Sequence, residues 1–275
     1  MKKIGIISNS LKDKELKVAE LAAEKLRALG AEVSIADLCD DKELNDEADA
    51  LIVIGGDGSM LSAAKRVREA GTPLLGINLG CVGYLTEVEL NDIDSCLKRL
   101  AEGDYSVSER MMLSGRCTIS GKIQEESRAL NDIVLSRHGT LLVAGYRIYV
   151  NGSFLGDFYA DGVIISTPTG STAYNMSAGG PIVSPSARLI VLTPVCSHSL
   201  NSRSIVFSES DELTVEILEA RGGKKAEIEV SYDGSGNRIL GCGDRLTARA
   251  SDKVTRIIKM NDDGFLQVLN RKMSL

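Results

Sequence analysis

The chain has 275 residues, 43% hydrophobic and 25% charged, with 32 Lys and Arg against 38 Asp and Glu, for a net charge of −6. That length allows one large domain or two modest ones whose core needs no disulfide or metal. The acidic balance, with basic residues scattered along the chain, argues against an extended nucleic-acid surface, and no apolar run reaches the roughly 18 residues of a membrane helix.

The start, Met1-Lys2-Lys3-Ile4, leads into a strand-like run and not into a signal-peptide apolar region, which points to the cytoplasm. Six Cys, at 39, 81, 96, 117, 196 and 242, form no C-x-x-C pair and read as reduced thiols packed as small apolar residues. Glycine is the unusual component: 27 Gly against seven Tyr, four Phe and no Trp place the specialised residues in turns.

In chain order, Ile4 to Ile7 predicts a short strand. Lys14 to Leu29 carries Leu16, Ala19, Ala23 and Leu26 at helical spacing and stops at Gly30. Val33 and Ile35 alternate as a strand. Ala50 to Ile54 is an apolar run too short for a helix; it ends in Gly55-Gly56-Asp57-Gly58, after which Ser59 can cap a helix running toward Glu69. Leu74 to Ile77 repeats the strand signal, and Ile93, Leu97 and Leu100 mark a helix closed by Gly103. Strands alternating with helices imply a Rossmann-like α/β domain with a mainly parallel sheet, placed at residues 1–103.

From residue 104 the period becomes that of β-structure. Tyr146, Ile148 and Val150 alternate up to the hairpin signal Asn151-Gly152, and Leu213 to Ile217 and Ile228 to Tyr232 alternate likewise. Residues 104–275 therefore read as a β-rich domain. Its last stretch, Phe265 to Leu275, is assigned to neither domain by the pattern alone.

Gly55-Gly56-Asp57-Gly58 lies where a buried strand turns into a helix, at the end of the sheet where open α/β folds bind ligands. Glycines there let the backbone approach closely, and a helix start favours phosphate. Asp57 is out of place beside phosphate unless it orients a metal or accepts a proton from an attacking hydroxyl, although Asp-Gly is also a common turn pair. No Walker G-x-x-x-x-G-K-[ST], no G-x-G-x-x-G after the first strand, no H-E-x-x-H and no G-x-S-x-G is present.

Asp161 to Pro181 is the densest segment. A strand, Val163 to Ile165, runs into Ser166, Thr167, Thr169, Ser171 and Thr172, then Tyr174 and Gly179-Gly180. So many hydroxyls suit a purine and a ribose, and a merely solvated loop has little use for Ala173-Tyr174 and Met176. Asn131-Asp132 interrupts an apolar strand, either as a bulge or turn or as a polar pair aimed into a site. In Gly80-Cys81-Val82-Gly83-Tyr84, the tyrosine is placed to wall a pocket. Nine of the 27 glycines (55, 56, 58, 80, 83, 162, 170, 179 and 180) fall in these loops, so a third of the glycine lies in the candidate site segments.

Taken together, GGDG at 55–58, GINLGCVGYL at 76–85, ALND at 129–132 and DGVIISTPTGSTAY at 161–174 resemble the NAD kinase family, in the family's order and over most of the chain. The long STPTGSTAY run makes the resemblance specific, since lipid kinases and phosphofructokinases also carry GGDG-like turns. The resemblance implies an α/β domain and a β-rich domain with the active site between them. It also implies phosphorylation of the 2′-hydroxyl of the adenosine ribose of NAD to give NADP, with ATP or polyphosphate as donor and Mg²⁺ or another divalent metal.

By that resemblance Asp57 is the catalytic proton acceptor, and the backbone of Gly55, Gly56 and Gly58 meets phosphate. Substrate contacts fall to Asp57, Gly58, Tyr84, Asn131, Asp132, Asp161, Thr172, Ala173, Tyr174, Ser177 and Cys196. The partners implied are NAD, NADP, ATP and further copies of the chain in a homodimer or homotetramer, with no nucleic acid and no membrane. Two positions depart from the family pattern: Tyr159-Ala160 replaces a basic residue ahead of Asp161, and Ser235 stands where glutamine is common. A lipid kinase and a catalytically silent nucleotide-binding regulator are the other readings; the first lacks a membrane-docking surface and the second has no need of Asp57.

Overall fold

The computed structural model describes residues 2–40, 48–67, 71–80, 83–139, 143–198, 203–220, 226–260 and 265–273. Their contacts form two compact units, Met1–Arg110 with Val254–Leu275, and Met111–Lys253.

The first unit is built on a parallel sheet. Strands β1 (Lys3–Ser8), β2 (Glu32–Asp37), β3 (Ala50–Gly55) and β4 (Leu74–Asn78) lie in the order β2-β1-β3-β4, all pairs parallel. The far edge of β4 pairs with Ile257 near its start and with the short β5 (Val88–Glu89) at its end. Because β3 and β4 are buried along their whole length, they read as continuous apolar runs and not as alternating ones. Helix α1 (Lys17–Ala28) buries Ala19, Ala22, Ala23 and Leu26, a face of small residues that brings the helix close to its neighbours. Helix α3 (Ile93–Glu102) buries Ile93, Cys96, Leu97 and Leu100, and ends on Gly103 at φ 80°, the left-handed stop expected of it.

Two helix starts differ from the sequence reading. Helix α1 begins at Lys17 and not at Lys14, because Glu15 and Leu16 are left-handed (φ 57° and 54°). The first turn is capped from a distance: the buried Asp13 carboxylate accepts from the N–H groups of Val18 (2.9 Å) and Ala19 (3.1 Å). Helix α2 (Asp57–Arg66) begins inside the glycine motif, so Gly56 holds the cap position and Ser59 sits in the first turn. A Cβ on Gly55 would lie 2.2 Å from Ser59 Oγ, so the serine packs onto the turn instead of capping it. Glu69, the expected far end, lies outside the described residues. The final stretch forms a helix, α5 (Phe265–Met273), in this first unit.

The second unit is antiparallel. Strand β6 (Ser106–Ile119) pairs with β7 (Lys122–Ile123) and β8 (Ser127–Ala129). A six-stranded sheet runs β14 (Ile205–Ser208), β13 (Leu189–Val195), β12 (Gly162–Ser166), β9 (Asp132–Arg137), β16 (Ile228–Tyr232), β17 (Ser235–Leu240). Another run joins β11 (Ser153–Ala160), β10 (Ala144–Val150), β15 (Leu213–Leu218) and β18 (Arg245–Lys259). The hairpin between β10 and β11 turns on Asn151 and Gly152, both at positive φ (50° and 79°), as a two-residue Asn-Gly turn requires. Ile133, Leu135, Val163, Ile165, Leu192, Val215, Ile228 and Val230 fill the core of this unit.

Of the cysteines, Cys96 and Cys117 are buried as expected, and burial pushes the Cys96 thiol up to about 12. Cys39, Cys196 and Cys242 are exposed, each outside a strand or helix, and Cys81 lies outside the described residues. Among the described residues, no helix is long and apolar enough to cross a membrane.

Candidate active site

In the first unit, the turn after β3 and the loop after β4 meet at Asp57. Its Oδ2 accepts from the Tyr84 N–H at 2.8 Å, and its Oδ1 accepts from Leu85 (3.0 Å) and Thr86 (3.3 Å). Gly83 makes this approach possible, since a Cβ there would fall 1.8 Å from Asp57 Oδ1. The Gly83 N–H is bonded to Thr86 Oγ1 (2.9 Å), and Asn78 closes the start of the loop through both of its bonds to Gly80. Three donors in consecutive peptides fix the carboxylate in one orientation. Cys81 and Val82, in the same motif, lie outside the described residues.

Tyr84 is half-buried, and the Lys272 ammonium of α5 lies 4.9 Å from its ring centroid, a cation–π contact. Burial, then the Asp57 charge, raises the Tyr84 hydroxyl above its ordinary range. Lys12, which belongs to none of the sequence motifs, also lies at this turn. Its ammonium lies 3.7 Å from the position a Cβ would take on Gly56, and among the described residues it makes no ion pair. Strand order alone could have located it: Lys12 follows β1, which is the neighbour of β3 in the sheet.

In the second unit, the hydroxyl-rich segment divides in two. Ser166, Thr167, Thr169 and Ser171 are buried. Thr167 Oγ1 donates to the Leu130 carbonyl (2.6 Å), and Ser171 Oγ donates to Pro168 O (2.7 Å) while accepting from Val183 N–H (3.0 Å). The fully buried Asn175 donates to Ser171 O and Pro181 O and accepts from Thr193 Oγ1 (2.7 Å). These groups hold the segment's own shape. The remaining ones are less buried: Thr172 and Ala173 are half-buried, with Thr172 Oγ1 donating to Thr169 O (3.3 Å), and Tyr174 and Ser177, on the single-turn helix α4 (Tyr174–Ser177), are exposed.

Asn131 is a bend between β8 and β9, and Asp132 is the first residue of β9, so the polar pair marks a break between strands. The Asn131 carbonyl accepts from Thr167 N–H (2.8 Å), which ties the pair to the start of the hydroxyl-rich segment. Asp161 lies at the other end of the same two strands. It pairs with Arg137 (Nε to Oδ1, 3.1 Å) and donates its N–H to Val195 O, next to Cys196, which is left-handed at φ 45°. Arg137 thus supplies, from β9, a cation beside Asp161 where Tyr159-Ala160 lacks one. The register of β9 against β12 could have shown this, since Gly162 faces Ser136.

Within the first unit the structure gathers Asp57, Gly58 and Tyr84. Within the second it places Asn131 and Asp132 against the 167–170 turn, and Asp161 near Cys196 at the opposite strand ends. Among the described residues no three His, Cys, Asp or Glu side chains gather as a metal cage.

Residues 6–105 match the ATP-NAD kinase N-terminal domain family, and residues 130–260 match the ATP-NAD kinase C-terminal domain family. An NAD kinase of Agathobacter rectalis is 40% identical, with 99% of each chain covered. One of Lachnospira eligens is 37% identical, covering 99% of this chain and all of its own. The fold resembles that of yeast NADH kinase complexed with NADH (TM-score 0.85, 22% identity, 100% of this chain and 88% of that one). It also resembles an Archaeoglobus fulgidus NAD kinase in complex with ATP (TM-score 0.80, 24% identity, 99% of both chains). Matched in both halves and aligned end to end with relatives that share more than a third of its residues, the chain belongs to the NAD kinase family.

Proposed function

We propose that this chain moves the terminal phosphoryl group of ATP onto the 2′-hydroxyl of the adenosine ribose of NAD, releasing NADP and ADP. The Asp57 carboxylate, fixed at the start of α2 by three backbone N–H groups, carries this reading. Two carboxylate oxygens offer about four lone-pair sites. Oδ1 takes two of the N–H groups and Oδ2 takes one, so Oδ2 keeps a site for the sugar hydroxyl.

In the transfer, the ribose oxygen bonds to the γ-phosphorus as the bond to the β,γ-bridging oxygen breaks, and ADP leaves with that electron pair. A carboxylate is a weak base for an alcohol, so Asp57 mainly orients the hydroxyl and takes its proton late. A divalent cation bound to the donor would neutralise phosphate charge. Gly55, Gly56 and Gly58 let the phosphates approach the backbone, and Lys12 adds a cation where no Walker lysine exists. In the second unit, Asn131 and Asp132 with Thr172 to Ser177 hold one end of the dinucleotide, and Asp161 with Cys196 the other. The strand between them, β12, spans about 17 Å at its usual rise.

The test is direct: purified protein with NAD, ATP and Mg²⁺ yields NADP, with NADH and inorganic polyphosphate run alongside. No NADP or NADPH with either donor would overturn the proposal. Lys12→Ala is expected to raise KM for ATP about tenfold and leave KM for NAD within twofold, the effect of losing one charged phosphate contact; equal changes in both constants would remove Lys12 from the donor site. The lipid kinase and the silent regulator are not favoured, because the relatives aligned end to end are named NAD kinases and the GGDG turn of this chain carries the Asp57 carboxylate. A homodimer or homotetramer is expected from the family resemblance, and light scattering gives the subunit number.

A further inference from the structure

Asp233 stands in the turn between β16 and β17, in the left-handed conformation at φ 48°. Its carboxylate accepts from three consecutive peptides: Leu130 N–H to Oδ2 (2.9 Å), and Asn131 (2.7 Å) and Asp132 (3.1 Å) to Oδ1. Its own N–H returns a bond to Asp132 O (3.0 Å). The carbonyls of the same stretch are also taken: Leu130 O by Thr167 Oγ1 and Asn131 O by Thr167 N–H. The backbone of 130–132 is thus bonded on its donor side by Asp233 and on its acceptor side by Thr167. The Asn131 carboxamide is different, since among the described residues it makes no hydrogen bond.

We infer that Asp233 is a positioning residue: it saturates the backbone of 130–132 and so holds the Asn131 amide at a fixed place for the nucleotide. The inference rests on the proposed function and adds a residue whose only route to the substrate is through another. A peptide N–H left without its acceptor would compete for the ligand or reorient the bend, and either change misplaces the amide. The left-handed turn supplies a clean set of variants. Asp233→Gly keeps the turn, which glycine adopts at no steric cost, and removes the carboxylate. Asp233→Asn tolerates the turn and keeps one acceptor oxygen.

The experiment measures KM for NAD, KM for ATP, kcat and amide hydrogen exchange over 130–132 in both variants, alone and in an Asn131→Ala background. Asp233→Gly is expected to raise KM for NAD about tenfold, leave KM for ATP within twofold and speed exchange at 130–132, with Asp233→Asn between it and wild type. In the Asn131→Ala background, Asp233→Gly adds no further rise. An unchanged KM for NAD despite faster exchange, or the same factor with Asn131 absent, would overturn the inference. Unchanged exchange would overturn it as well, whatever the activity. A wild-type protein that makes no NADP with either donor instead removes the proposed function, and the exchange data still decide whether Asp233 sets this backbone.

Discussion

Replacing Asp57 with Asn is expected to lower kcat on the order of a thousandfold, the scale of losing a positioned acid–base group together with its charge. The structure makes the expectation sharper than proton transfer alone. Asp57 Oδ1 serves Leu85 and Thr86, and Oδ2 serves Tyr84. An Asn keeps one acceptor oxygen, so its amide must point N–H at N–H on one side, and the loop loses at least one charge-assisted bond of roughly 1.5–3 kcal/mol. Asp57→Asn is therefore expected to raise KM for NAD a few-fold through a displaced Tyr84 while kcat collapses. Asp57→Ala, which removes all three acceptors, should loosen the loop further without lowering kcat much more. Steady-state kinetics on both variants, with amide exchange at 84–86, separates the two roles. Turnover by Asp57→Asn within tenfold of wild type would show that the carboxylate is not the group that handles the hydroxyl.

The two units repeat one device. Asp57 gathers the peptides of 84–86 and Asp233 those of 130–132, each carboxylate fixing a loop that carries candidate site residues. Neither link is visible in sequence, because each joins segments far apart in the chain and depends on which strands become neighbours. What was visible was local. The runs at 50–54 and 74–77 identify buried parallel strands by length and composition, and Gly103 and Asn151-Gly152 mark a helix end and a hairpin by chemistry that only those residues supply. The Ser and Thr run after Ile165 shows where local reading stops. Composition makes all its hydroxyls equally available to a ligand, yet Ser166, Thr167, Thr169 and Ser171 are buried, and three of them bond within the protein through their hydroxyls. Ser59 erred for a related reason: it is a good cap residue, but the chain turns into the helix two residues earlier, at Asp57.

Gly170→Ala is expected to be among the most damaging single-methyl additions in the second unit. A Cβ there would sit 2.1 Å from the Asn131 carbonyl oxygen, 2.4 Å from its carbon and 2.7 Å from its Cα. The obstacle is backbone, and it has nowhere to go: Asn131 O is bonded to Thr167 N–H, and Asn131 N–H is bonded to Asp233. Relief requires Gly170 and the 130–132 bend to part, which breaks the Thr167 contacts or strains the turn. Overpacking of a compliant core costs about 1–3 kcal/mol, and a rigid obstacle belongs at or above the top of that range. For a unit of this size, about 3 kcal/mol lowers Tm by roughly 6–12 °C. Because the displaced element carries Asn131 and Asp132, KM for NAD should rise in the protein that remains folded, while KM for ATP moves less. Gly71→Ala is the control, since a Cβ at Gly71 meets open space and should shift Tm by no more than about 2 °C. If Gly170→Ala melts within a degree of wild type and binds NAD normally, then the 130–132 bend is compliant, and the claim that Thr167 and Asp233 hold it from two sides fails.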